Sequence, residues 1–128
     1  MNGDLFDTNI VIALFANEPT VIEKLRQSNH IFVPAIVLCE LFYGVRKSNQ
    51  VEQNIERVEA FAASVQVLAC DADTAASYGA IKNQLRLKGR PIPENDIWIA
   101  SLARQFNLRL VTRDDHFGEV DGLDVRRW

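Results

Sequence analysis

Short apolar segments alternate with helical patterns along the whole chain, and this alternation constrains the fold more than any other feature. Strands that alternate with helices predict an α/β protein with a mostly parallel sheet. The predicted strands are short and rich in Val, Ile, Leu and Phe, which is typical of strands covered on both faces. In such folds the functional crevice lies beyond the carboxyl ends of the strands. We therefore expect functional side chains directly after strands or at the starts of helices.

Hydrophobic periodicity and turn residues give approximate bounds for these elements. The predicted strands are Gly3–Asp7, Ile31–Val33, Val65–Leu68, Leu108–Thr112 and Leu123–Arg126. The predicted helices are Asn9–Ala16, Pro19–Gln27, Pro34–Val45, Val51–Ala63, Ala72–Leu87 and Asn95–Phe106. We expect Asn17, Asp71 and Asn95 to cap the helices that they precede. Residues 89–93 and 114–122 are predicted loops.

The overall composition is that of an ordinary soluble protein. The 128 residues fit one domain, residues 1–128, and the sequence contains no visible repeat or linker. Hydrophobic residues make up 48% and charged residues 24%. The longest apolar run, Ile10 to Ala16, is too short to cross a membrane, and no targeting segment is visible. These features predict a cytoplasmic protein with no membrane partner.

The cysteines and histidines do not form a recognisable metal or disulfide pattern. Cys39 and Cys70 lie in apolar runs without a CxxC neighbour, which predicts buried, reduced thiols. His30 and His116 are not at zinc-ligand spacing with either cysteine. We interpret both histidines as ordinary surface or loop residues, although His116 lies close to Asp114 in the sequence.

Four of the 17 acidic residues fall where this fold places function. Asp7 and Asp114 follow predicted strands, whereas Glu40 and Asp96 lie near the starts of apolar helices. Each has an ordinary explanation when taken alone, as a helix cap, a solvated or paired helix residue, a first-turn acid or a turn residue. Together they predict one pocket, where mutual repulsion requires a divalent cation. Oxygen ligands favour Mg²⁺, with Mn²⁺ as the second choice, over Zn²⁺.

Four segments containing these acids resemble, in the same order, the acidic motifs of the PIN-domain family. They are Phe6 to Asn9, Glu40 to Gly44, Asn95 to Ala100 and Leu110 to Asp114. Within that family the chain resembles the VapC-type toxins of prokaryotic toxin–antitoxin pairs, and the likeness extends to the stretch from Gly122 to Trp128. Each motif alone is short, but four in order in a chain of this length are a specific signal.

The resemblance implies a three-layer α/β/α fold whose parallel sheet has five strands in the order 3-2-1-4-5. It also implies a metal-dependent endoribonuclease, a hydrolase toxin that forms a homodimer and is inhibited by a cognate antitoxin. Carried over by position, the catalytic and metal-binding residues are Asp7, Glu40, Asp96 and Asp114. The supporting positions are Thr8, Asn9, Asn95 and Thr112. Asp115 leaves open which aspartate of the pair 114–115 faces the metal.

The negative net charge of the chain does not favour RNA binding, so basic residues must be sought at particular positions. Its net charge is −3 and its estimated pI is 5.3, whereas nucleic-acid binders are usually basic. RNA affinity must therefore come from local cations that contact phosphates. The candidates are Arg46, Lys47, Arg86, Lys88, Arg90 and Arg113. No base-reading module is recognisable, so the sequence leaves the RNA target open.

Three other functions remain open at this stage. The first is a nuclease that acts on DNA or on structured flaps, and the second is a PIN-like, antitoxin-bound or DNA-binding regulatory module with little catalysis. The third, a phosphatase, fits less well because Asp7-Thr8-Asn9 lacks the second aspartate of the Asp-x-Asp nucleophile motif. The presence of all four acids favours catalysis. Apolar helix faces near Phe42 and Phe61 are the predicted homodimer interface.

Overall fold

The computed structural model describes residues 2–128, which form parallel strands connected by helices. The strands are β1 (Asp4–Phe6), β2 (Ile31–Pro34), β3 (Gln66–Leu68), β4 (Arg109–Val111) and β5 (Val125–Arg126). The helices are α1 (Thr8–Phe15), α2 (Pro19–Gln27), α3 (Ala35–Arg46), α4 (Val51–Ser64), α5 (Ala72–Lys88) and α6 (Glu94–Gln105). A short 3-10 helix, Asp115–Glu119, lies between β4 and β5 within the segment predicted as a loop.

The sheet has the order β3-β2-β1-β4-β5, and all of its pairs are parallel, which confirms the predicted topology. β1 lies at the centre because it pairs with β2 on one side and with β4 on the other. The chain builds β2 and β3 on one side of β1 and later returns to build β4 and β5 on the other side. The carboxyl end of β1 therefore lies at the point where the strand order reverses, which is where open α/β sheets bind ligands.

Both faces of the central strands are covered, which confirms the predicted three layers. Successive strand residues point to opposite faces of a sheet. Leu5 and Phe6 of β1 are each 0% exposed, as are Leu110 and Val111 of β4. The helices supply the residues that cover them, including Ile10, Val11, Val37, Ile81, Ile99 and Leu102. Among the described residues, no helix has both the length and the apolarity that a membrane span requires.

The ends of α5 follow local sequence rules. The Asp71 side chain accepts a hydrogen bond from the Thr74 N–H at 3.0 Å, and the Thr74 hydroxyl accepts one from the Asp71 N–H at 3.0 Å. This reciprocal capping box satisfies donors that the helix itself leaves unpaired. At the other end, Gly89 has a φ of +67°, a left-handed conformation that glycine adopts without steric cost. The predicted cap at Asp71 is therefore confirmed.

The predicted caps at Asn17 and Asn95 are wrong. Asn17 has a φ of 58° and follows α1, so it terminates that helix in the left-handed conformation that Asn tolerates. Glu18 occupies the N-cap position of α2. Asn95 lies inside α6, whose N-cap position is Pro93, and its side chain bonds to Glu40 instead. In both cases a competing conformation or partner outweighs the capping tendency of the asparagine.

The two cysteines are exposed, which contradicts the prediction of buried thiols. Helix α3 turns Val37 and Leu41 toward the core, and Cys39 falls between them on another face. Cys70 lies in the loop between β3 and α5. The apolar neighbours of each cysteine along the sequence therefore do not determine whether it is buried. The direction in which the helix or loop turns the side chain determines it.

The location predicted for the homodimer interface stays a prediction, as homodimerisation itself does. Phe61 is 9% exposed and belongs to the hydrophobic core. Phe42 is partly buried and packs against that core.

Candidate functional site

The carboxyl ends of β1 and β4 place Asp7 beside Thr112. The Asp7 N–H donates to the Val111 carbonyl at 3.0 Å, which extends the strand pairing by one residue. The Thr112 hydroxyl donates to Asp7 Oδ2 at 2.7 Å, and the Thr8 N–H donates to Asp7 Oδ1 at 2.8 Å. Asp7 therefore caps α1, which is the ordinary explanation that the sequence offered for it. Asp7 is also 5% exposed, and its role as a metal ligand stays a prediction.

The turn after β4 is fixed by side chains from both strands. The Asp114 N–H donates to the Thr112 hydroxyl at 3.0 Å. The Asn9 side-chain oxygen accepts from the Arg113 N–H at 3.1 Å, while its amide nitrogen lies 3.4 Å from Asp7 Oδ2. These contacts hold Asp114 next to the end of β1. Asn9 therefore supports the geometry of the turn.

Glu40 of α3 is held by residues from two other helices. The Thr8 hydroxyl donates to Glu40 Oε2 at 2.9 Å. The Asn95 amide donates to Glu40 Oε1 at 3.1 Å. Both carboxylate oxygens thus have a donor, and Glu40 is joined to the start of α1 and to the start of α6. A carboxylate on this largely apolar helix is stabilised by these partners.

Asp96 and Asp114 approach each other on either side of His116. His116 Nδ1 lies 3.0 Å from Asp96 Oδ2 and 3.0 Å from Asp114 Oδ1. One ligand atom from each of the three residues lies within 4.8 Å of the others, a spacing that allows the group to hold a metal ion. Sequence reasoning assigned His116 to an ordinary loop. The signal that could have identified it was its position two residues after Asp114.

The four acids predicted from the sequence are linked by a series of side-chain and backbone contacts, which we call the acidic ring. Asn95, joined to Asp96 by the peptide bond, completes the series by its hydrogen bond to Glu40, while Asp96, Asp114 and His116 alone lie within 4.8 Å of one another. The members in order are Glu40, Thr8, Asp7, Thr112, Asp114, His116 and Asp96. The sheet order makes this possible, because it brings the ends of β1 and β4 together with the middle of α3 and the start of α6.

The acidic ring carries excess negative charge, and this charge helps to raise the pKa values of its members. Burial raises the pKa of Asp7, and the Glu40 and Asp114 carboxylates raise it further, while the bond from Thr112 opposes them. Burial also raises the pKa of Asp96, where Asp7 and Asp114 act in the same direction. The pKa of His116 is raised chiefly by its bond to Asp96. The ring therefore favours the binding of a cation.

Asp114, and not Asp115, belongs to the acidic ring. The Asp114 side chain is 31% exposed and lies against His116. The Asp115 side chain is 100% exposed and lies 3.5 Å from Arg127. Asp115 begins the 3-10 helix, whereas Asp114 precedes it and caps it by accepting from the His116 N–H at 2.9 Å.

Arg113, a predicted RNA contact, is engaged in contacts inside the protein. Its terminal nitrogens lie 3.1 Å and 2.8 Å from the two carboxylate oxygens of Glu18. Its Nε donates to the Trp128 main-chain oxygen at 2.8 Å. Such a two-point pair leaves little of the guanidinium for a ligand. Sequence reasoning missed Glu18, which carries no local signal of its partner 95 positions away.

The remaining basic candidates differ in whether other groups of the protein already bind their side chains. Lys88 donates to the Glu119 carbonyl at 2.9 Å and lies 3.2 Å from an Asp121 oxygen. Arg86 bonds to Asn83 at 2.7 Å within its own helix. Arg46, Lys47 and Arg90 are themselves exposed, and Lys47 lies 4.6 Å from the centre of the Tyr43 ring. These three stay the simplest predictions for RNA contact.

Comparison with known proteins places the chain among PIN-fold proteins. The PIN domain model matches residues 5–123. A relative from Shigella flexneri, tRNA(fMet)-specific endonuclease VapC, is 34% identical over 127 residues, which are 97% of this chain and 96% of that protein.

Two solved structures resemble the chain over its length. VapBC2 from Rickettsia felis, bound to a DNA fragment from its promoter, gives a TM-score of 0.91 at 32% identity and covers 100% of this chain and 99% of that one. VapBC-1 from nontypeable Haemophilus influenzae gives 0.90 at 33% identity, covering 100% and 98%. With its sheet order, its acidic ring and a family match across most of its length, the chain belongs to the PIN domain family.

Proposed function

We propose that this protein is a metal-dependent endoribonuclease toxin that hydrolyses RNA phosphodiester bonds at the acidic ring. The observation that supports the proposal is the series of contacts that joins Asp7, Glu40, Asp96 and Asp114, contributed by separate elements of the fold. RNA is the favoured substrate because the relatives of nearly equal length are named as ribonucleases.

The donor set of the acidic ring fits a small, hard dication. PIN nucleases depend on metal ions, and the ring supplies carboxylate oxygens, which Mg²⁺ and Mn²⁺ prefer. The raised pKa values of Asp7 and Asp96 reflect buried negative charge that a dication would offset. We assign Mg²⁺ to Asp7, Glu40, Asp96 and Asp114. The nitrogen of His116 belongs to a softer class of ligand, so we leave it out of the Mg²⁺ set.

A bound metal ion of this kind would supply a water of lowered pKa and stabilise negative charge on the scissile phosphate. The protein's own residues provide the positioning. Thr112 and the Thr8 N–H fix both oxygens of Asp7, while Thr8 and Asn95 fix both oxygens of Glu40. His116 Nδ1 lies 3.0 Å from an oxygen of Asp96 and 3.0 Å from an oxygen of Asp114, and these carboxylates raise the pKa of its imidazole.

We also propose that a cognate antitoxin binds this chain. The supporting observation is that the similar solved structures are VapBC complexes from Rickettsia felis and Haemophilus influenzae. Assembly as a homodimer is a separate prediction that light scattering of the purified protein would test. A monomer at micromolar concentration would contradict it.

The test of the nuclease proposal uses purified protein freed of any partner and stripped of metal with a chelator. We expect it to cleave single-stranded RNA only after Mg²⁺ or Mn²⁺ is restored, and to leave DNA of the same sequence uncut. Asp7→Asn should reduce cleavage by about a thousandfold or more, because it removes a ligand from an electrostatic centre. Asp115→Asn is the matched control, since its carboxylate lies outside the acidic ring and is fully exposed.

Three outcomes would contradict the proposal. Preferential cleavage of DNA would indicate a DNA nuclease. A lack of metal-dependent cleavage in protein known to be folded would favour the regulatory module, a role suggested by the promoter DNA bound to VapBC2. Full activity in Asp7→Asn would show that the acidic ring is not the catalytic site.

A further inference from the structure

Helix α3 carries an exposed tyrosine one turn beyond its member of the acidic ring. Tyr43 is 67% exposed, although aromatic rings contribute most to stability when they are buried. It follows Glu40 by three residues, a spacing that makes the two side chains neighbours on one helix face. Since Glu40 is held by Thr8 and Asn95, the tyrosine lies beside a fixed point of the acidic ring.

A lysine lies over the Tyr43 ring. Lys47 Nζ lies 4.6 Å from the ring centroid, which is close enough for a cation–π interaction. No carboxylate among residues 2–128 forms an ion pair with Lys47, so its charge is available to a phosphate. The ring is largely exposed and has a second face, which leaves it able to stack on a base.

Gly44 leaves the helix surface beside Tyr43 open. Its φ does not lie in the left-handed region, so its backbone conformation does not require glycine. A Cβ added to Gly44 would meet no described atom within 4 Å beyond the adjoining part of α3, so packing does not require glycine either. Glycine within a helix is less stable than alanine, but it lets a ligand approach the backbone closely. Gly44 follows Glu40 by four residues, so this opening lies on the face that carries the acid.

Tyr43, Gly44 and Lys47 form one surface, which we call the α3 stripe. Glu40 and Lys47 are seven residues apart, which corresponds to two helical turns and about 10 Å along the axis. The stripe therefore begins at a member of the acidic ring, and a strand bound there reaches it directly. An aromatic ring followed by a cation is the combination with which proteins bind single-stranded nucleic acid.

We propose that the α3 stripe binds a nucleotide next to the cleaved bond, with its base stacked on Tyr43 and its backbone passing over Gly44 to Lys47. This inference rests on the proposed nuclease function. Stacking on a side chain needs an unpaired base, so the stripe selects single-stranded RNA. The continuity with Glu40 and the unpaired charge of Lys47 favour the RNA strand over a protein partner as the occupant.

The first test measures stacking at Tyr43 with a ten-nucleotide single-stranded RNA in EDTA, where no cleavage occurs. We expect Tyr43→Ala to bind about tenfold more weakly than wild type, and Tyr43→Phe to bind equally, because stacking needs the ring and not the hydroxyl. In a series of RNAs, each nucleotide is replaced in turn by an abasic unit. One such replacement, next to the cleavage site mapped with Mg²⁺, should weaken binding to wild type about tenfold and have no effect on Tyr43→Ala.

The second test separates stability from RNA binding with two glycine variants. Gly79 of α5 is as open as Gly44, but its helix contributes no residue to the acidic ring, so Gly79→Ala is the matched control. Both Gly44→Ala and Gly79→Ala should raise Tm by a few degrees, because alanine favours the helix and meets no clash. We expect only Gly44→Ala to weaken RNA binding, by about tenfold, because its methyl group would be forced into a packed contact.

Wild-type RNA affinity in Tyr43→Ala, or an abasic effect that persists in that variant, would overturn the inference and leave the nuclease proposal intact. Equal RNA binding by the two glycine variants would reject the path over Gly44. A changed oligomeric state of Tyr43→Ala with unchanged RNA binding would also overturn the inference and assign the α3 stripe to a protein contact. A failure of wild type to cleave any RNA would instead refute the proposed function, while the abasic series in EDTA would still decide whether a base stacks on Tyr43.

Discussion

The Thr112 hydroxyl donates a hydrogen bond of 2.7 Å to the Asp7 carboxylate, joining residues 105 positions apart in the sequence. The same oxygen accepts from the Asp114 N–H at 3.0 Å. One buried hydroxyl therefore orients two of the four acids, because it is donor to one and acceptor to the backbone of the other. Substitution of Thr112 separates the effect of this hydroxyl on stability and cleavage from the effect of the carboxylates.

Replacing this hydroxyl by a methyl group should impair both folding and cleavage. Thr112→Val removes the nearest donor to Asp7 Oδ2 in a buried site and leaves that oxygen only the long 3.4 Å contact from the Asn9 amide. We expect this loss to cost about 1–3 kcal/mol of unfolding free energy. Cleavage should fall by about tenfold or more, since an ill-positioned ligand weakens the metal site. Urea unfolding and single-turnover kinetics measure the two effects. Thr112→Ser keeps the hydroxyl and should behave like wild type; if Val is equally active, the bond has no role in positioning.

In the metal-free protein, the acidic ring should contribute less stability as pH rises. An unfolded Asp96 loses its proton near the usual value of 3.8, whereas the folded residue, with its raised pKa, keeps it longer. Between these two values the folded state binds more protons, so the free energy of unfolding decreases with pH. Asp7 shifts in the same direction, and so does His116 in the range above 6.5.

The substitution Asp96→Asn should abolish cleavage and flatten this pH dependence. At neutral pH the metal-free variant should be at least as stable as wild type, because a desolvated charge has been removed. Mg²⁺ at one hundred times its Kd would stabilise wild type by about 2.7 kcal/mol and the variant by much less. Thermal unfolding across pH 4–8 with and without Mg²⁺, roughly spanning the carboxylate and histidine titrations, provides the measurement. A steeper pH dependence in the variant would contradict our account of the acidic ring.

The pair between Glu18 and Arg113 should affect turnover more than RNA binding. Arg113→Lys loses the two-point contact with Glu18 and the bond to the Trp128 main-chain oxygen, both of which hold the turn that carries Asp114. We expect a lower kcat with little change in KM and a lower Tm. Glu18→Gln should act in the same direction. A raised KM in Arg113→Lys with an unchanged Glu18→Gln would instead indicate that Arg113 contacts RNA directly.

Both thiols should react with a disulfide reagent in the folded protein. Cys39 and Cys70 are exposed, so modification needs no unfolding. Burial and the neighbouring Asp71 raise the pKa of Cys70, so its thiolate is scarcer at neutral pH and its reaction slower. Single substitutions, Cys39→Ser and Cys70→Ser, assign each kinetic phase. Protection of either thiol until denaturant is added would contradict the exposed positions.

The sheet order and the set of acids could be predicted because both depend on regular patterns. Alternating strand and helix patterns indicate a parallel sheet, and motif order identifies which strand ends carry Asp7 and Asp114. The bond of Thr112 to Asp7 follows from the register that places Phe6 opposite Val111. Such a register depends on how the strands pair in the sheet, so it cannot be predicted from the sequence of either strand alone.

Side-chain partners across the fold could not be predicted. Asn95 is a residue type that often caps helices, yet its side chain bonds to Glu40, 55 positions earlier. His116 resembles a loop residue, yet the 3-10 helix turns its ring toward Asp96 and Asp114. Cys39 has apolar neighbours, but the helical period turns it outward. For Asn95 and His116 a contact across the fold decided the outcome, whereas for Cys39 the helical period did.

The central position of β1 has a consequence during synthesis on the ribosome. Asp7 emerges early, but β4 and the turn after it, which supplies Thr112 and Asp114, must be translated and placed beside β1 before the site exists. A nascent chain that ends before β4 would hold three of the four acids that we propose as metal ligands, with one flank of its central strand unpaired. Toxicity would thus be withheld from incomplete chains by the order in which the polypeptide is made.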